Sequence, residues 1–416
     1  MKRCAWCLVL PLLAGLSLAA APKESPRFDW PQWQGPDRTG LSKETGLLKE
    51  WPTGGPPLAW KVKGLGGGYS TPSVAAGRVF GMSYRGKDEG VWALDEATGN
   101  PAWWVRIAAA RPVDRGEGSR GTPTVDGDLL YALGVSGDLV CLEAATGKER
   151  WHKDLTKDFG GGIPGWGYSE SPLIDDDKVI CTPGGKKATL AALNKKTGET
   201  VWECQVPGGD GAQYSSPVVA EINGQRQYVQ FLRGGVVGVA ADDGKFLWRY
   251  NHPANGTANC STPVVSDNLV FAASGYGTGG GAVKISGSGK DSKADEIYFT
   301  NKMQNQHGGV VLVDGYVYGS NEGQVTCLEL KTGKVKWEER KPGKGSIVFA
   351  DGRLYYRNEG GPLVLFEANP EKYVETGRFD QPERSRSSAW PHPVIANGKL
   401  YVRDQDLLLC YDVKAK

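Results

Sequence analysis

The chain lacks the sequence features on which several large classes of protein depend. After the first twenty or so of its 416 residues, no stretch approaches the roughly 18 apolar residues that a membrane-spanning helix needs. Its 49 basic residues are nearly matched by 47 acidic ones, and this balance gives no support to binding of nucleic acid or of an anionic membrane surface. Only four His are present, and none has the spacing to Cys or carboxylates that a zinc site requires.

Motifs of catalysis are scarce as well. No Gly-x-Ser-x-Gly elbow is found. The Gly-rich runs at 65–70 and 275–281 are not followed by a helix, so neither predicts a phosphate-binding loop. What the chain has in abundance is Gly, with 59 residues, and Trp, with 14. Such a composition is typical of a turn-rich globular protein with few long helices.

The N-terminus has the three parts of a secretory signal. Lys2 and Arg3 supply its charge, residues 5–18 its apolar run, and residues 19–21 a small-residue cleavage zone. Residues 1–21 are therefore predicted to be a signal peptide, and the exported chain retains 47 basic and 47 acidic residues. Neither cysteine of this segment follows the small-residue box of a lipoprotein signal, so no lipid anchor is predicted.

An eleven-residue phrase recurs along the chain. It reads ALDEATGNPAW at 93–103. Its acidic residue and Thr-Gly pair suit a tight turn, because the side chains bond to local backbone and Gly adopts positive φ without steric cost. The Trp is predicted to open a strand and to bury its ring against the neighbouring unit. Three close copies and a degraded one are CLEAATGKERW (141–151), ALNKKTGETVW (192–202), CLELKTGKVKW (327–337) and GVAADDGKFLW (238–248).

The spacing of the phrase predicts the fold. A Ser/Thr-Pro pair and short runs of β-branched and aromatic residues precede each copy, so each unit has four strands. Trp60, Trp103, Trp151, Trp202 and Trp248 are 43, 48, 51 and 46 residues apart, a period typical of β-propeller blades. Third strands can be counted in eight units. We therefore expect an all-β, eight-bladed β-propeller of four-stranded antiparallel blades.

The two ends of the chain complement each other. The last unit stops near Val413 without a fourth strand, and the segment at 57–62 has a Trp but no strands before it. We predict that this N-terminal strand, around Trp60, completes the last blade and hides the strand edges. The predicted organisation is a signal peptide at 1–21, an N-terminal extension at 22–54 and the propeller at 55–413. The predicted blade-docking residues are Trp60, Trp103, Trp151, Trp202, Trp248 and Trp337.

Six cysteines follow the predicted cleavage site. Cys141, Cys327 and Cys410 stand at strand positions where other units have Ala or another apolar residue, which favours buried small hydrophobes over disulfides. Cys181 and Cys204 lie in the same unit of an exported chain, so a bridge between them stays open as an alternative.

The repeated phrase resembles the tryptophan-docking motif of the quinoprotein (PQQ-like) β-propeller repeat family, Ala-x-Asp-x-x-x-Gly-Lys-x-x-Trp. The opening DWPQWQGPDRTG at 29–40 also resembles the start of many exported members. The family includes pyrroloquinoline-quinone (PQQ) alcohol dehydrogenases and non-enzymatic, BamB-type scaffolds of outer-membrane assembly. The resemblance implies an exported propeller in the periplasm or outer cell envelope of a bacterium. It does not imply an activity, since the motif packs blades together and does no chemistry.

The two branches of the family imply different functions. The dehydrogenases have adjacent cysteines beneath the quinone and a calcium cluster, whereas this chain has no two neighbouring cysteines and no haem-attaching Cys-x-x-Cys-His. The predicted function is a non-enzymatic, monomeric scaffold that binds an envelope protein or peptide, with no cofactor assigned. The alternative is a PQQ-dependent oxidoreductase with quinone and calcium at the channel mouth. Sensing of a glycan or small ligand is a third possibility.

A candidate site follows from the blade order. Segments that precede the innermost strands should meet on one face of the disc, around the central channel. Their side chains could stack a planar ligand such as PQQ or grip a peptide, or they could fill the channel mouth and bond to the surrounding loops. This predicted ring comprises Tyr69, Arg120, Trp166, Tyr168, Tyr214, Cys260, His307, Lys344, Trp390 and His392.

Overall fold

The structure is a computed structural model that describes Met1, residues 27–114, Gly116 and residues 118–415. Apart from Met1, the predicted signal peptide lies outside the described residues. Within the described part of the chain, no helix has the length and apolar character needed to cross a membrane. The prediction of an all-β chain is confirmed, because the strands form eight sheets and the described helical residues amount to one short α-helix and one 3₁₀ turn.

The eight sheets are the blades of a β-propeller, as predicted. Two short strands, β1 (Leu41–Ser42) and β2 (Leu58–Val62), precede the first blade. Blades 1 to 4 then follow in chain order, with the innermost strand of each first. Blade 1 has β3 (Ser73–Ala75), β4 (Arg78–Arg85), β5 (Asp88–Asp95) and β6 (Pro101–Ala109), and blade 2 has β7 (Thr124–Asp126), β8 (Leu129–Leu133), β9 (Asp138–Glu143) and β10 (Glu149–Asp154). After the helix α1 (Leu155–Phe159), blade 3 has β11 (Leu173–Asp175), β12 (Lys178–Cys181), β13 (Leu190–Asn194) and β14 (Thr200–Cys204), and blade 4 has β15 (Val218–Ile222), β16 (Gln225–Leu232), β17 (Gly235–Ala240) and β18 (Phe246–Tyr250).

The second half of the chain repeats this arrangement. A 3₁₀ turn at Gly289–Asp291 lies in the insertion between the last two strands of blade 5. Blade 5 has β19 (Val264–Ser266), β20 (Leu269–Ser274), β21 (Gly279–Ser286) and β22 (Lys293–Thr300), and blade 6 has β23 (Val310–Val313), β24 (Tyr316–Asn321), β25 (Gln324–Glu329) and β26 (Val335–Glu339). Blade 7 has β27 (Gly345–Ala350), β28 (Arg353–Asn358), β29 (Leu363–Glu367) and β30 (Glu375–Phe379), and blade 8 has β31 (Val394–Ala396), β32 (Lys399–Asp404) and β33 (Leu407–Asp412).

The Trp on the outermost strand of one blade packs on the tight turn that the repeated phrase forms in the next blade. In the turn of blade 1, the Asp95 carboxylate accepts hydrogen bonds from the backbone N–H and the hydroxyl of Thr98, and Gly99 has a φ of 74°. A Cβ on Gly99 would lie 2.6 Å from the Trp60 ring, so only Gly lets the indole approach. The indole N–H of Trp60 donates to the carbonyl of Glu96 at 3.1 Å. Equivalent bonds join Trp103 to Ala144, Trp151 to Lys195, Trp202 to Ala241 and Trp337 to Asn369.

Three junctions depart from this pattern. At the one between blades 7 and 8, Gly377 stands at the position of the docking Trp, and Trp51 from the N-terminal extension packs against it. The indole N–H of Trp248, predicted to dock on the next blade, donates instead to the Gln227 side chain of its own blade, because an insertion replaces the phrase turn of blade 5. The Trp248 ring still packs in a core shared with blade 5. At the following junction Tyr298 takes the place of Trp: its hydroxyl donates to the carbonyl of Leu330 at 2.8 Å, and its ring contacts Gly333.

The N-terminal strand closes the ring, as predicted. Strand β2 pairs antiparallel with β33 and completes blade 8, and its Trp60 docks on blade 1. Blade 7 departs from the predicted four strands, because β1 pairs parallel with its innermost strand β27 and makes a fifth.

Residues 30–42, which we call the plug, fill the central channel. Trp30 exchanges two backbone hydrogen bonds with Val74 of blade 1, and its side chain is 1% exposed. The Arg38 guanidinium donates to two backbone carbonyls of blade 3. Because β1 then pairs with blade 7, the plug contacts inner strands on several sides of the channel. The sequence placed this segment only within an extension at 22–54.

The six described cysteines are all free thiols. Cys141, Cys327 and Cys410 have 0% exposure, as predicted for buried small hydrophobes. Cys181 and Cys204 lie in separate core clusters on the two sides of their blade, so the bridge left open by the sequence is not formed.

Candidate functional site

A cavity of about 460 Å³ opens at one end of the central channel. Trp33, at the tip of the plug, contributes to its base, and the loops before the innermost strands form its walls. All residues of the predicted ring except Tyr168 line this cavity. Trp33, Tyr276, Gln306 and Glu359 join them, together with several Ser and Thr side chains.

Two pairs of aromatic rings stand on different sides of the cavity. Tyr69 of blade 1 and Trp390 of the loop before blade 8 have ring centroids 4.6 Å apart. Trp166 and Tyr214, before blades 3 and 4, are stacked with centroids 5.3 Å apart. In an eight-fold ring these positions are separated by about 135°. Arg120, before blade 2, lies between them, and its guanidinium carbon is 5.5 Å from the Tyr69 centroid and 5.8 Å from that of Trp390, which are cation–π distances.

Glu359 holds the orientation of Trp390. Its carboxylate accepts the indole N–H of Trp390 at 2.7 Å and pairs with the Lys344 ammonium at 2.9 Å. Burial acts to raise the pKa of Glu359, but the Trp390 hydrogen bond and the nearby Lys344 ammonium outweigh it and hold this pKa below its usual value. Glu359 is therefore ionised at neutral pH, and the position of Trp390 is fixed by a charge-assisted bond.

The two cavity histidines are neutral at neutral pH. Burial lowers the pKa of His392 to about 4, although the carbonyl of His307, which accepts from His392 Nε2 at 2.8 Å, acts in the opposite direction. Burial likewise brings the pKa of His307 well below its ordinary range. His307 Nε2, His392 Nδ1 and Ser169 Oγ have no hydrogen-bond partner among the described residues. Such atoms on a cavity wall are available to a ligand or to water.

Tyr168 is placed outside the cavity, contrary to the prediction. Its side chain is 1% exposed and packs with Leu139 and Leu155 in the core between blades 2 and 3. Its hydroxyl donates to the carbonyl of Pro183 at 2.7 Å. The loop turns between the two neighbouring aromatics, so Trp166 lines the channel and Tyr168 anchors the loop.

Sequence reasoning missed four lining residues of consequence, of which Gln306 directly precedes the predicted His307. Tyr276 and Glu359 lie in turns between second and third strands, and the prediction considered only the segments before first strands. Both kinds of connection reach the same face of a propeller, which is the signal that would have found them. Trp33 comes from the plug, and the only signal for it is the aromatic-rich opening at 29–40.

A protein-family model described as "Outer membrane protein assembly factor BamB" matches residues 87–339, more than half of the chain. The chain belongs to this family. The outer membrane protein assembly factor BamB of Xanthomonas campestris pv. campestris is 25% identical over 370 residues, covering 76% of this chain and 85% of the relative. That of Yersinia pestis is 22% identical over 304 residues, covering 68% and 71%. The family resemblance predicted from the repeated phrase is confirmed.

This chain shares its fold with solved structures from both branches of the family. BamB from Moraxella catarrhalis matches with a TM-score of 0.61 at 16% identity, over 86% of this chain and 98% of that chain. The quinohemoprotein alcohol dehydrogenase from Comamonas testosteroni gives 0.67 at 14% identity, over 93% and 81%. At these identities the likeness shows the fold alone, so the fold does not separate scaffold from dehydrogenase.

The cavity does not fit a calcium-bound quinone. Ca²⁺ takes about six to eight oxygen ligands, several of them from carboxylates. Glu359 is the single carboxylate among the described cavity residues, and it is already bonded to Trp390 and Lys344. Across the described ranges, no group of three or more His, Cys, Asp or Glu side chains is arranged to hold a metal ion. We therefore derive no redox step at this site.

Proposed function

We propose that the chain is an exported, non-enzymatic scaffold of the bacterial cell envelope that binds another protein or peptide. The match of residues 87–339 to a family of outer membrane assembly factors carries this proposal. The donor set of the cavity supports it, because it fits no calcium-bound quinone. A propeller suits the role, since its packed blades form a rigid frame that presents loops and strand edges to a partner.

Two kinds of surface are open to a protein partner. The outermost strands carry exposed apolar side chains, with Leu58 at 41%, Val201 at 47% and Ile297 at 43% exposure. Such edges can pair with a strand of another chain. The rim of the cavity is the second surface, and Tyr276 at 43% exposure is its most prominent side chain.

Site-specific photo-crosslinking tests the proposal on the full chain in its own envelope. A photoreactive phenylalanine analogue is placed in turn at Tyr276, Leu58 and Ile297, with the exposed turn residue Lys196 as control. We expect one of the three positions to give a discrete adduct with an outer-membrane assembly protein, identified by mass spectrometry. Adducts no stronger than those of the Lys196 control at all three positions would contradict the scaffold function.

A further inference from the structure

The cavity has two aromatic platforms whose rings are only partly used by the fold. Trp166 and Trp390 are both half-buried, and both line the cavity. The stacked Trp166–Tyr214 pair and the Trp390–Tyr69 pair thus present ring surface to the space between them. Rings of this kind favour flat, partly apolar ligands with a polar rim.

Donors and acceptors alternate around these platforms. Arg120 and Lys344 donate hydrogen bonds, and the Gln306 amide can both donate and accept them. The Glu359 carboxylate already accepts from Trp390 and Lys344 and keeps lone pairs for a further donor. The unpartnered His307 Nε2 adds a further polar atom to the wall. A sugar hydroxyl donates and accepts at the same time, and a sugar ring has an apolar C–H face. From this combination we infer that the channel-mouth cavity is a binding site for a short saccharide.

A peptide fits the cavity less well than a saccharide. An extended peptide needs an open strand edge for its backbone hydrogen bonds, and the inner strands next to the cavity are engaged by the plug. Strand β27 pairs with β1, and Val74 of β3 bonds to Trp30. The volume of about 460 Å³ lies within the range of about 300–1,000 Å³ for small-ligand pockets. It accommodates a few sugar rings rather than a folded domain.

The cavity is closed below by the plug, so a ligand has to enter from the open face. The Trp33 ring packs at a tilt of 60° against His392, with centroids 4.6 Å apart, and its indole N–H donates to the Thr262 hydroxyl at 2.8 Å, which fixes the base of the cavity. A free oligosaccharide or the end of a longer glycan would reach the platforms from that side. The site is distinct from the outer strand edges that the scaffold function offers to a protein, although Tyr276 on its rim is also one of the crosslinking positions.

Calorimetric titration of the purified mature chain tests the inference directly. The probes are triacetylchitotriose, maltotriose and trigalacturonate, with the tripeptide Gly-Trp-Gly as comparison. We expect at least one trisaccharide to bind with one site per chain and a Kd of about 1 mM or tighter. Failure of all three trisaccharides to bind at this level, or tighter binding of the tripeptide, would overturn the saccharide site.

Two variants locate the binding, and a third is the matched control. Trp166→Ala removes one platform and should weaken the trisaccharide at least about tenfold. Gln306→Leu keeps the apolar volume, and should weaken it about fivefold without the risk of disturbing a stacked pair. Phe299→Ala removes a ring that stacks on His252 at 3.6 Å on an outer strand, away from the cavity, and should leave the Kd unchanged. Unchanged affinity in both cavity variants would place binding elsewhere and overturn the assignment.

The titration and the crosslinking fail independently of each other. The titration uses the purified chain and detects a saccharide at the cavity, whereas the crosslinking detects a protein partner in the envelope. A chain that binds a trisaccharide but gives no protein adduct would retain the saccharide site and lose the scaffold function.

Discussion

The blade junctions and the central channel are both closely packed, yet they are built in different ways. At five junctions, a Trp on one outermost strand donates to a backbone carbonyl in the turn of the next blade. The channel is filled once, by a plug that has no repeat, and the side chains around its mouth differ from blade to blade. Repeated contacts thus fix the frame, and unrepeated contacts determine what the frame can bind.

The largest single effect should come from the unrepeated part. Trp30 is 1% exposed in a core shared by blades 1, 7 and 8, and no other residue duplicates it. We expect Trp30→Ala to lower the free energy of unfolding by about 3–5 kcal/mol, measured by urea denaturation. Trp33→Ala is the control within the plug, and it should cost less because Trp33 is only half-buried. A loss below about 1 kcal/mol for Trp30→Ala would show that the plug does not unfold cooperatively with the blades.

The repeated junctions can be tested with two matched glycines. Gly198 and Gly224 both have a φ of 72°, but a Cβ at Gly198 would lie 2.9 Å from the Trp151 ring, whereas nothing lies within 4 Å of one at Gly224. Gly224→Ala should therefore cost only the backbone strain of about 1–2 kcal/mol. Gly198→Ala should cost about 2–4 kcal/mol, since the indole must also move. Equal losses in the two variants would show that the close approach of Trp151 contributes nothing to stability.

The same contrast explains what could be predicted from the sequence. Eight blades and the closing strand around Trp60 were predictable because one contact with one spacing recurs, so each copy supports the others. Trp248 packs against the following blade, as predicted, but its indole N–H bonds within its own blade, because blade 5 has lost the turn that supplies the acceptor carbonyl elsewhere. The plug has no periodicity, and its position depends on contacts with inner strands distant in sequence.

The candidate site was predictable in position and less so in detail. The repeat fixes which segments meet at the channel mouth, and that places Tyr69, Arg120 and Trp390 together. It does not fix which way a side chain turns within a loop, which is why Tyr168 was misplaced. Glu359 was missed because it lies in a different kind of connection, although it decides the orientation of Trp390.

Acid should lower the free energy of unfolding because it protonates His392 more readily in the unfolded chain. Burial lowers the pKa of His392 from 6.5 to about 4, so the unfolded chain binds this proton more readily than the folded one. Its contribution to stability is therefore complete above pH 6.5 and is lost as the pH falls towards 4. We expect a loss of about 2 kcal/mol between pH 8 and pH 5 from this group.

A His392→Gln variant isolates that loss. Glu89 and Glu170, whose pKa values burial raises to about 7, act in the opposite direction over part of the same range, but they are present in both proteins and cancel in the comparison. Urea denaturation at the two pH values should show the variant losing about 2 kcal/mol less than the parent chain. Parallel losses would mean that His392 is protonated in the folded state at little cost.

The smallest effect is expected from adding PQQ, the cofactor of the dehydrogenase branch. We expect the purified chain, mixed with PQQ and calcium and then desalted, to retain no quinone absorbance, because Glu359 is the single described carboxylate in the cavity and is held by Trp390 and Lys344. Retention of about one equivalent would contradict the assignment of the cavity, because the unrepeated residues at the channel mouth would then hold a redox cofactor. A dye-linked screen of alcohols and sugars would then test for dehydrogenase activity. If the quinone is not retained, the propeller keeps its fold without the cofactor, because the contacts that dock the blades lie outside the cavity.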